Sequence, residues 1–326
     1  AVIGTGASAV QLVPELAGRA KTLKVFQRTA PHIIPRGDFA SPAWQRALFR
    51  AVPSTQRALR AGIFYGAEAL ALGVVWTSPM TSALELLARA HLRRSVPDPW
   101  LRRQLTPDYR IGCKRMLITN DYYPALTRPN VKLITWPIVR LRREGIQTAE
   151  GIVHAFDAVV FATGFEVATN RFAFPIHGAS GRSLDESWRR GAHAYKSVSV
   201  PGFPNLFVTA GPNSGPGHNS YLAYMEAQID YIVGAVCMMQ REGIARMDVR
   251  EETERAFNTA LQRRLARTNW NSGCRSWYLS EDGFNATMYP GFASQYARQM
   301  REFRRESYDI VVRPSRAARA GKAQHA

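Results

Sequence analysis

Residues Gly4-Thr5-Gly6-Ala7-Ser8-Ala9 set two glycines and an alanine at the spacing G-x-G-x-x-G/A. In this pattern the first glycine allows a tight turn, the second lets backbone approach a pyrophosphate, and the last small residue lets a helix pack close to a strand. The phosphates then lie at the positive end of the following helix. The pattern falls between "AVIG" and "ASAVQLVPELAGRA", with "TLKVFQRT" after them, so residues 1–29 read as strand, helix, strand. Gln11, early in that helix, joins the candidate contacts, and Pro14 is expected to bend the helix. A plain structural turn is the competing reading of the glycines.

The end of the second strand bears on which nucleotide would bind. An NAD site places a carboxylate about 20 residues beyond the glycines to accept from the ribose 2′-hydroxyl. Here "FQRT" puts Arg28 and Thr29 at that point. A cation and a hydroxyl suit a 2′-phosphate, which points to NADP(H), against the alternative of a solvated arginine at a strand end. Three other stretches join residue types able to do chemistry. Lys114-Arg115 is a basic pair, with a solvated loop pair as its ordinary reading. Ala162-Thr163-Gly164 closes the apolar run "AVVFATG", expected to be a strand buried on both faces, where a glycine permits close backbone approach. Asn213 and Ser214 in "GPNS" follow "PNLFVTAG", read as another buried strand, and precede a long helical pattern. The dipole of that helix favours negative charge at its N-terminus.

Other chemistries are disfavoured. The seven histidines show no metal-ligand spacing, so no metal is expected. His218 lies near Ser214 and Ser220, but no G-x-S-x-G elbow exposes a nucleophile. The net charge of +18 raises nucleic acid as a partner, yet the arginines are dispersed and no aromatic-interleaved basic motif occurs, so none is expected. Cys113, Cys237 and Cys274 are odd in number and widely spaced, which reads as no disulfide framework and a reducing, cytoplasmic setting. No apolar run reaches the ~18 residues of a transmembrane helix.

The elements that must position these residues follow from periodicity. Residues 42–105 carry uninterrupted helical patterns, read as an insertion over one face of a sheet. Strand character returns at "NVKLIT", "IVRLRREGIQT" and "GIVHAFDAVVFATGF", with a hairpin expected around "REG". Residues 220–243 form a long helix capped by Asn219 or Ser220, and "REETERAFNTALQRRLART" forms an amphipathic one. A final helix is expected over "ASQYARQMREFRRES".

Taken together, "GTGASAVQLVPELA" and "VFQRTAPHIIPR" resemble the NADPH-domain fingerprint of the class B flavoprotein monooxygenases, above all the Baeyer–Villiger monooxygenases. Four further stretches are similar to that family in the same order. They are "IGCKRMLITNDYYPALTRPNVKLI" (111–134), "FDAVVFATGFEVAT" (156–169), "SVPGFPNLFVTAGPNSGPGHNSYLAYMEAQIDYIV" (199–233) and "GCRSWYLSEDGFNATMYPG" (273–291). The resemblance covers nearly the whole chain. It implies an α/β fold: a Rossmann-like NADPH domain over 1–155 with the helical insertion at about 42–105, plus the C-terminal half of a discontinuous FAD-binding domain over 156–245. A helical and irregular segment over 246–312 and a disordered basic tail over 313–326 complete the expected organisation. The family's FAD fingerprint would precede Ala1, so the chain is expected to be N-terminally truncated, not to retain FAD alone, and to be inactive by itself.

Carried across by residue, the resemblance places Lys114 with Arg28 on the 2′-phosphate. It makes Arg115 the active-site arginine facing the flavin, where a preorganised cation stabilises developing negative charge. Ala162, Thr163 and Gly164 would lie near the flavin, Asn213 and Ser214 would contact it, and Trp277 would contact the nicotinamide half of NADPH. The surrounding "WYLSEDGFN" departs from the Baeyer–Villiger pattern, which has a glycine and a proline nearby. The implied activity is NADPH- and FAD-dependent insertion of one atom of O2 into a small organic ketone or aldehyde. Oxygenation at nitrogen or sulfur, and a non-catalytic NADP(H)-binding remnant, are the alternatives, and the oligomeric state is left open.

Overall fold

A computed structural model describes residues 1–165, 172–274, 276–280 and 282–313. The chain divides into two compact units. The first comprises Ala1–Ile63, Leu72–Phe165 and Ser272–Cys274; the second comprises the described parts of Phe64–Ala71, Glu166–Asn271 and Arg275–Ala326.

In chain order the first stretch holds β1 (Val2–Ile3), α1 (Ala9–Arg19), β2 (Leu23–Phe26), β3 (Ile33–Ile34), α2 (Ala43–Ala51), α3 (Pro53–Val74), α4 (Pro79–Ser95) and α5 (Pro99–Gln104). There follow β4 (Leu117–Ile118), α6 (Tyr122–Leu126), β5 (Val131–Ile134), β6 (Ile138–Arg142), β7 (Gly145–Thr148), β8 (Val153–His154) and β9 (Val160–Phe161). Strands β5, β2, β1 and β9 make a parallel sheet in that order, with Val2 opposite Val25 on one side and Val160 on the other. Val2, Val25, Val131, Ala9, Val13 and Leu126 share one core, because α1 and α6 lay their apolar faces on the sheet. Helix α1 continues from Ala9 to Arg19 through Pro14. Two of the inserted helices start on strong local signals. Ser78 and Thr81 form a capping box for α4, and Asp98 accepts from the Trp100 and Leu101 backbone N–H groups at the start of α5. Strands β6, β7 and β8 form an antiparallel sheet in which β7 opens on Gly145, where a Cβ would lie 2.0 Å from the His154 carbonyl oxygen.

The second unit holds α7 (Leu184–Ser187), α8 (Tyr221–Glu242), β10 (Ile244–Val249), α9 (Glu251–Leu265), α10 (Ala293–Arg301) and β11 (Tyr308–Val312). Helix α8 packs on α10, and β10 pairs antiparallel with β11. Ser220 is the α8 N-cap residue, with Asn219 Oδ1 accepting from its N–H. The Phe64–Ala71 part of α3 is anchored by buried Glu68. Its carboxylate accepts from the Ala293 and Ser294 backbone N–H groups (2.9 and 3.0 Å), Ser294 Oγ (2.6 Å), His218 Nε2 and Asn219 Nδ2 (both 3.1 Å). Burial raises the Glu68 pKa, but these hydrogen bonds outweigh it and hold the carboxyl below its ordinary range.

Several expectations need correcting. Residues 204–211 form no regular strand; Asn205 and Ala210 take positive φ, which breaks the pleat that an apolar run alone suggests. The run ending in Ala162 is a strand, but an edge strand rather than one buried on both faces, with Phe161 61% exposed. It belongs to the first compact unit. The last helix, expected to run to Ser307, ends at Arg301, and a strand follows at 308–312. Cys113 and Cys274, 161 residues apart, are joined in a disulfide within the first unit, because wide spacing in sequence does not set distance in space. Among the described residues no cluster of ligating side chains could hold a metal, and no single helix is long and apolar enough to cross a membrane. Apart from Arg313, the expected tail lies outside the described residues.

Candidate functional site

The first unit brings most of the candidate residues together at the ends of β1, β2 and β9. Gly4 has φ +115° and donates its N–H to the Phe26 carbonyl at 3.0 Å. On its other side the Ala162 N–H donates to the Ile3 carbonyl at 2.8 Å. A Cβ on Gly4 would lie 2.3 Å from the Ala162 oxygen, so only glycine fits between the strands. The first glycine of the turn and the Ala162-Thr163-Gly164 motif are therefore one physical feature. Gly6, by contrast, is exposed, with nothing within 4 Å of the position of an added Cβ.

Ser8 precedes α1 as its N-cap but makes no side-chain cap bond, and no acidic residue lies in the first turn. The first N–H groups of a helix have no intrahelical acceptor. An uncapped helix start beside an open glycine is a cradle for an anion. Thr5 Oγ1 donates to the Thr29 carbonyl at 2.9 Å, tying the turn to the end of β2. Gln11 Nε2 donates to the Ala7 carbonyl at 2.7 Å, so its amide shapes the turn.

One candidate cation, Arg28, precedes Thr29, the residue to which Thr5 ties the turn. Arg28 is exposed at the end of β2, and Arg115 is exposed next to half-buried Lys114. Burial first, and then the Arg28 charge, hold the Lys114 ammonium below the ordinary lysine range, while Asp108 pulls the other way. The two cations therefore lie within range of each other's charge. Lys114 Nζ also lies 4.7 Å over the ring of Tyr109, a residue that sequence reasoning passed over. No periodicity or motif signals such a contact; only the fold brings the ring under the ammonium. Beyond the turn, Thr163 and Gly164 are exposed, and Gly164 has φ +100° with open space at its Cβ position.

The remaining candidates belong to the second unit. Asn213 and Ser214 are each 1% exposed. The Asn213 amide donates to the Asn285 and Met288 carbonyls at 2.7 and 3.0 Å, and Ser214 Oγ donates to the Gly211 carbonyl at 2.6 Å. Their side chains thus brace the 211–215 loop, and Asn213 Oδ1 is a buried acceptor without a partner among the described residues. Trp277 is exposed, with its ring 4.4 Å from that of Tyr278.

No protein-family model matches the chain. The chain is 39% identical over 316 residues to a Baeyer–Villiger monooxygenase of Pseudomonas aeruginosa, a match covering 96% of this chain and 60% of that protein. A Baeyer–Villiger monooxygenase of Streptomyces coelicolor is 38% identical over 329 residues, covering 100% of this chain and 63% of that one. Among solved structures, an oxidised steroid monooxygenase bound to NADP superposes with a TM-score of 0.77 at 26% identity, over 95% of this chain and 66% of that chain. The chain thus spans about three fifths of the length of the curated relatives it matches. The chain matches these Baeyer–Villiger monooxygenases over nearly its whole length, and its fold is similar to that of the steroid monooxygenase.

Proposed function

We propose that the chain supplies the NADP(H)-binding part, and a portion of the FAD-binding part, of a monooxygenase that inserts one atom of O2 into a ketone or aldehyde. The observation that carries this reading is the cradle at Gly4–Ala9: an uncapped helix start, an open Gly6, and Arg28 with Lys114 within range of its charge. Backbone N–H groups of the turn would hold the pyrophosphate, and the two cations the 2′-phosphate. The steroid monooxygenase that shares this fold is itself described as bound to NADP.

For FAD, the fit rests on the exposed backbone at Thr163-Gly164, where a ligand can approach closely. When bound, NADPH supplies the hydride and FAD the activation of oxygen. The chain's own residues bind, orient and set charge. Arg115, on the same loop as Lys114, holds a permanent cation where negative charge develops on the reacting oxygen and carbonyl. Gly4, locked against Ala162, fixes the turn relative to the sheet end where ligands of such folds bind.

The test is turnover under isotopically labelled O2. The chain is joined to the part of the Pseudomonas aeruginosa relative that it does not match, loaded with FAD and NADPH, and offered ketones, aldehydes, sulfides and amines. One labelled atom in an ester or lactone supports the reading. Label only on sulfur or nitrogen transfers the protein to the other oxygenases, and NADPH binding with no label in any product leaves a non-catalytic nucleotide-binding chain.

A further inference from the structure

Lys114 is placed unusually for a lysine that meets a phosphate. It is half-buried, and among the described residues it makes no ion pair within salt-bridge distance. A carboxylate partner would fix the ammonium but neutralise it, and would compete with an incoming anion. What holds Lys114 is an aromatic face: its Nζ lies 4.7 Å from the centroid of the Tyr109 ring. A ring quadrupole attracts a cation without cancelling its charge and without consuming its N–H donors.

The ring is itself fixed. His32 packs edge-on against it with centroids 5.1 Å apart at 86°, and His32 Nε2 lies 2.7 Å from the Tyr109 carbonyl oxygen. His32 is buried, and its own carbonyl accepts from the Leu117 N–H at 2.9 Å where β3 pairs with β4. The chain therefore braces the ring from the strand pair that flanks the Lys114 loop. Burial pushes the Tyr109 hydroxyl up to about 12, so the ring stays neutral and adds no anion to the site.

We propose that Tyr109 is a positioning residue for cofactor choice: its ring holds the Lys114 ammonium, unneutralised, toward the 2′-phosphate of NADP(H). This rests on the nucleotide reading given above. Loss of the ring frees the ammonium to rotate into solvent and weakens only the ligand that carries the phosphate.

The experiment measures dissociation constants of NADPH and NADH for the 326-residue chain, its Tyr109→Leu and Tyr109→Phe variants, and Tyr109 replaced by pentafluorophenylalanine. The fluorinated ring keeps its volume but loses its negative face, so it reports on the quadrupole even if Tyr109→Leu fails to fold. Expected are an NADPH affinity about five-fold weaker for the Leu and fluorinated variants, NADH affinity unchanged, and Phe within about two-fold of the parent. In a Lys114→Ala background the Tyr109 substitutions change nothing. Equal weakening of both nucleotides, or an unchanged NADPH/NADH ratio in the fluorinated variant, overturns the proposal. A parent chain with no preference for NADPH instead overturns the nucleotide reading, and the proposal falls with it.

Discussion

Replacing Gly4 by alanine separates the structural role of the first glycine from the binding role of the second. An alanine Cβ at position 4 would sit 2.3 Å from the Ala162 oxygen and 2.8 Å from its carbonyl carbon, both backbone atoms that cannot rotate away. An ordinary carbon–oxygen contact is about 3.3 Å, so β1 and β9 must part by about 1 Å. That motion breaks the 2.8 Å bond from the Ala162 N–H to the Ile3 carbonyl. The φ of +115° adds strain of its own for a residue with a Cβ. Strain of about 1–3 kcal/mol and overpacking of about 1–3 kcal/mol, with about 1 kcal/mol for the hydrogen bond, give a loss of about 3–7 kcal/mol. At a urea slope of about 2–3 kcal/mol/M this moves the midpoint down by more than about 1 M. Gly6→Ala is the control, because nothing lies within 4 Å of its added Cβ. Its stability should stay within about 0.5 kcal/mol of the parent, while its NADPH affinity falls as the methyl fills the space left for pyrophosphate. The reasoning is refuted if Gly4→Ala unfolds like the parent, or if Gly6→Ala binds NADPH unchanged.

Three further outcomes follow from contacts elsewhere. Glu68→Ala strands five donors and should cost about 3 kcal/mol in chemical denaturation. Because the folded Glu68 pKa is lowered, its stabilisation is present above the unfolded carboxylate value and fades as pH falls through the folded one, so the Ala variant and the parent should converge in acid. His193 shows the opposite sign. Its hydrogen bond to Glu254, 2.7 Å long, raises its pKa, so the stability it contributes is full below about pH 6.5 and is lost as pH rises through the raised value; a urea-midpoint profile that Glu254→Gln fails to flatten contradicts this. Reducing the Cys113–Cys274 bond, which spans 161 residues, should lower stability by about 5 kcal/mol on a chain-entropy estimate, and Cys274→Ser should remove any effect of reductant on the melting midpoint.

What was legible in the sequence is what local pattern controls. The strand–turn–helix of residues 1–19 follows from apolar periodicity and two glycines, and the inserted helices from periodicity and from caps such as Ser78 and Asp98. Arg28 could be placed because its position is counted along the chain from Gly4. The failures are all non-local. The run "PNLFVTAG" has the composition of a strand, but its residues make single bonds to Ser199, to Met247 of β10 and to Gln228 rather than a continuous ladder with one partner. Residues 302–307 look like the end of a basic helix, but the helix stops at Arg301 and the chain goes on to pair 308–312 with β10. Pairing of Cys113 with Cys274, Glu68 under Ser294, and Tyr109 under Lys114 each require a fold before they exist. Asn213 and Ser214 were recognised from a motif, which gives their place in the loop but not that their side chains brace it from inside.

Calorimetric titration of the chain with NADPH and with NADH tests the central claim most directly, since the cradle, Arg28 and Lys114 all act on one phosphate. The expected result is saturable NADPH binding at least about tenfold tighter than NADH, with Arg28→Ala removing most of that gap. Equal affinity for the two nucleotides, or no heat with either, would contradict the account.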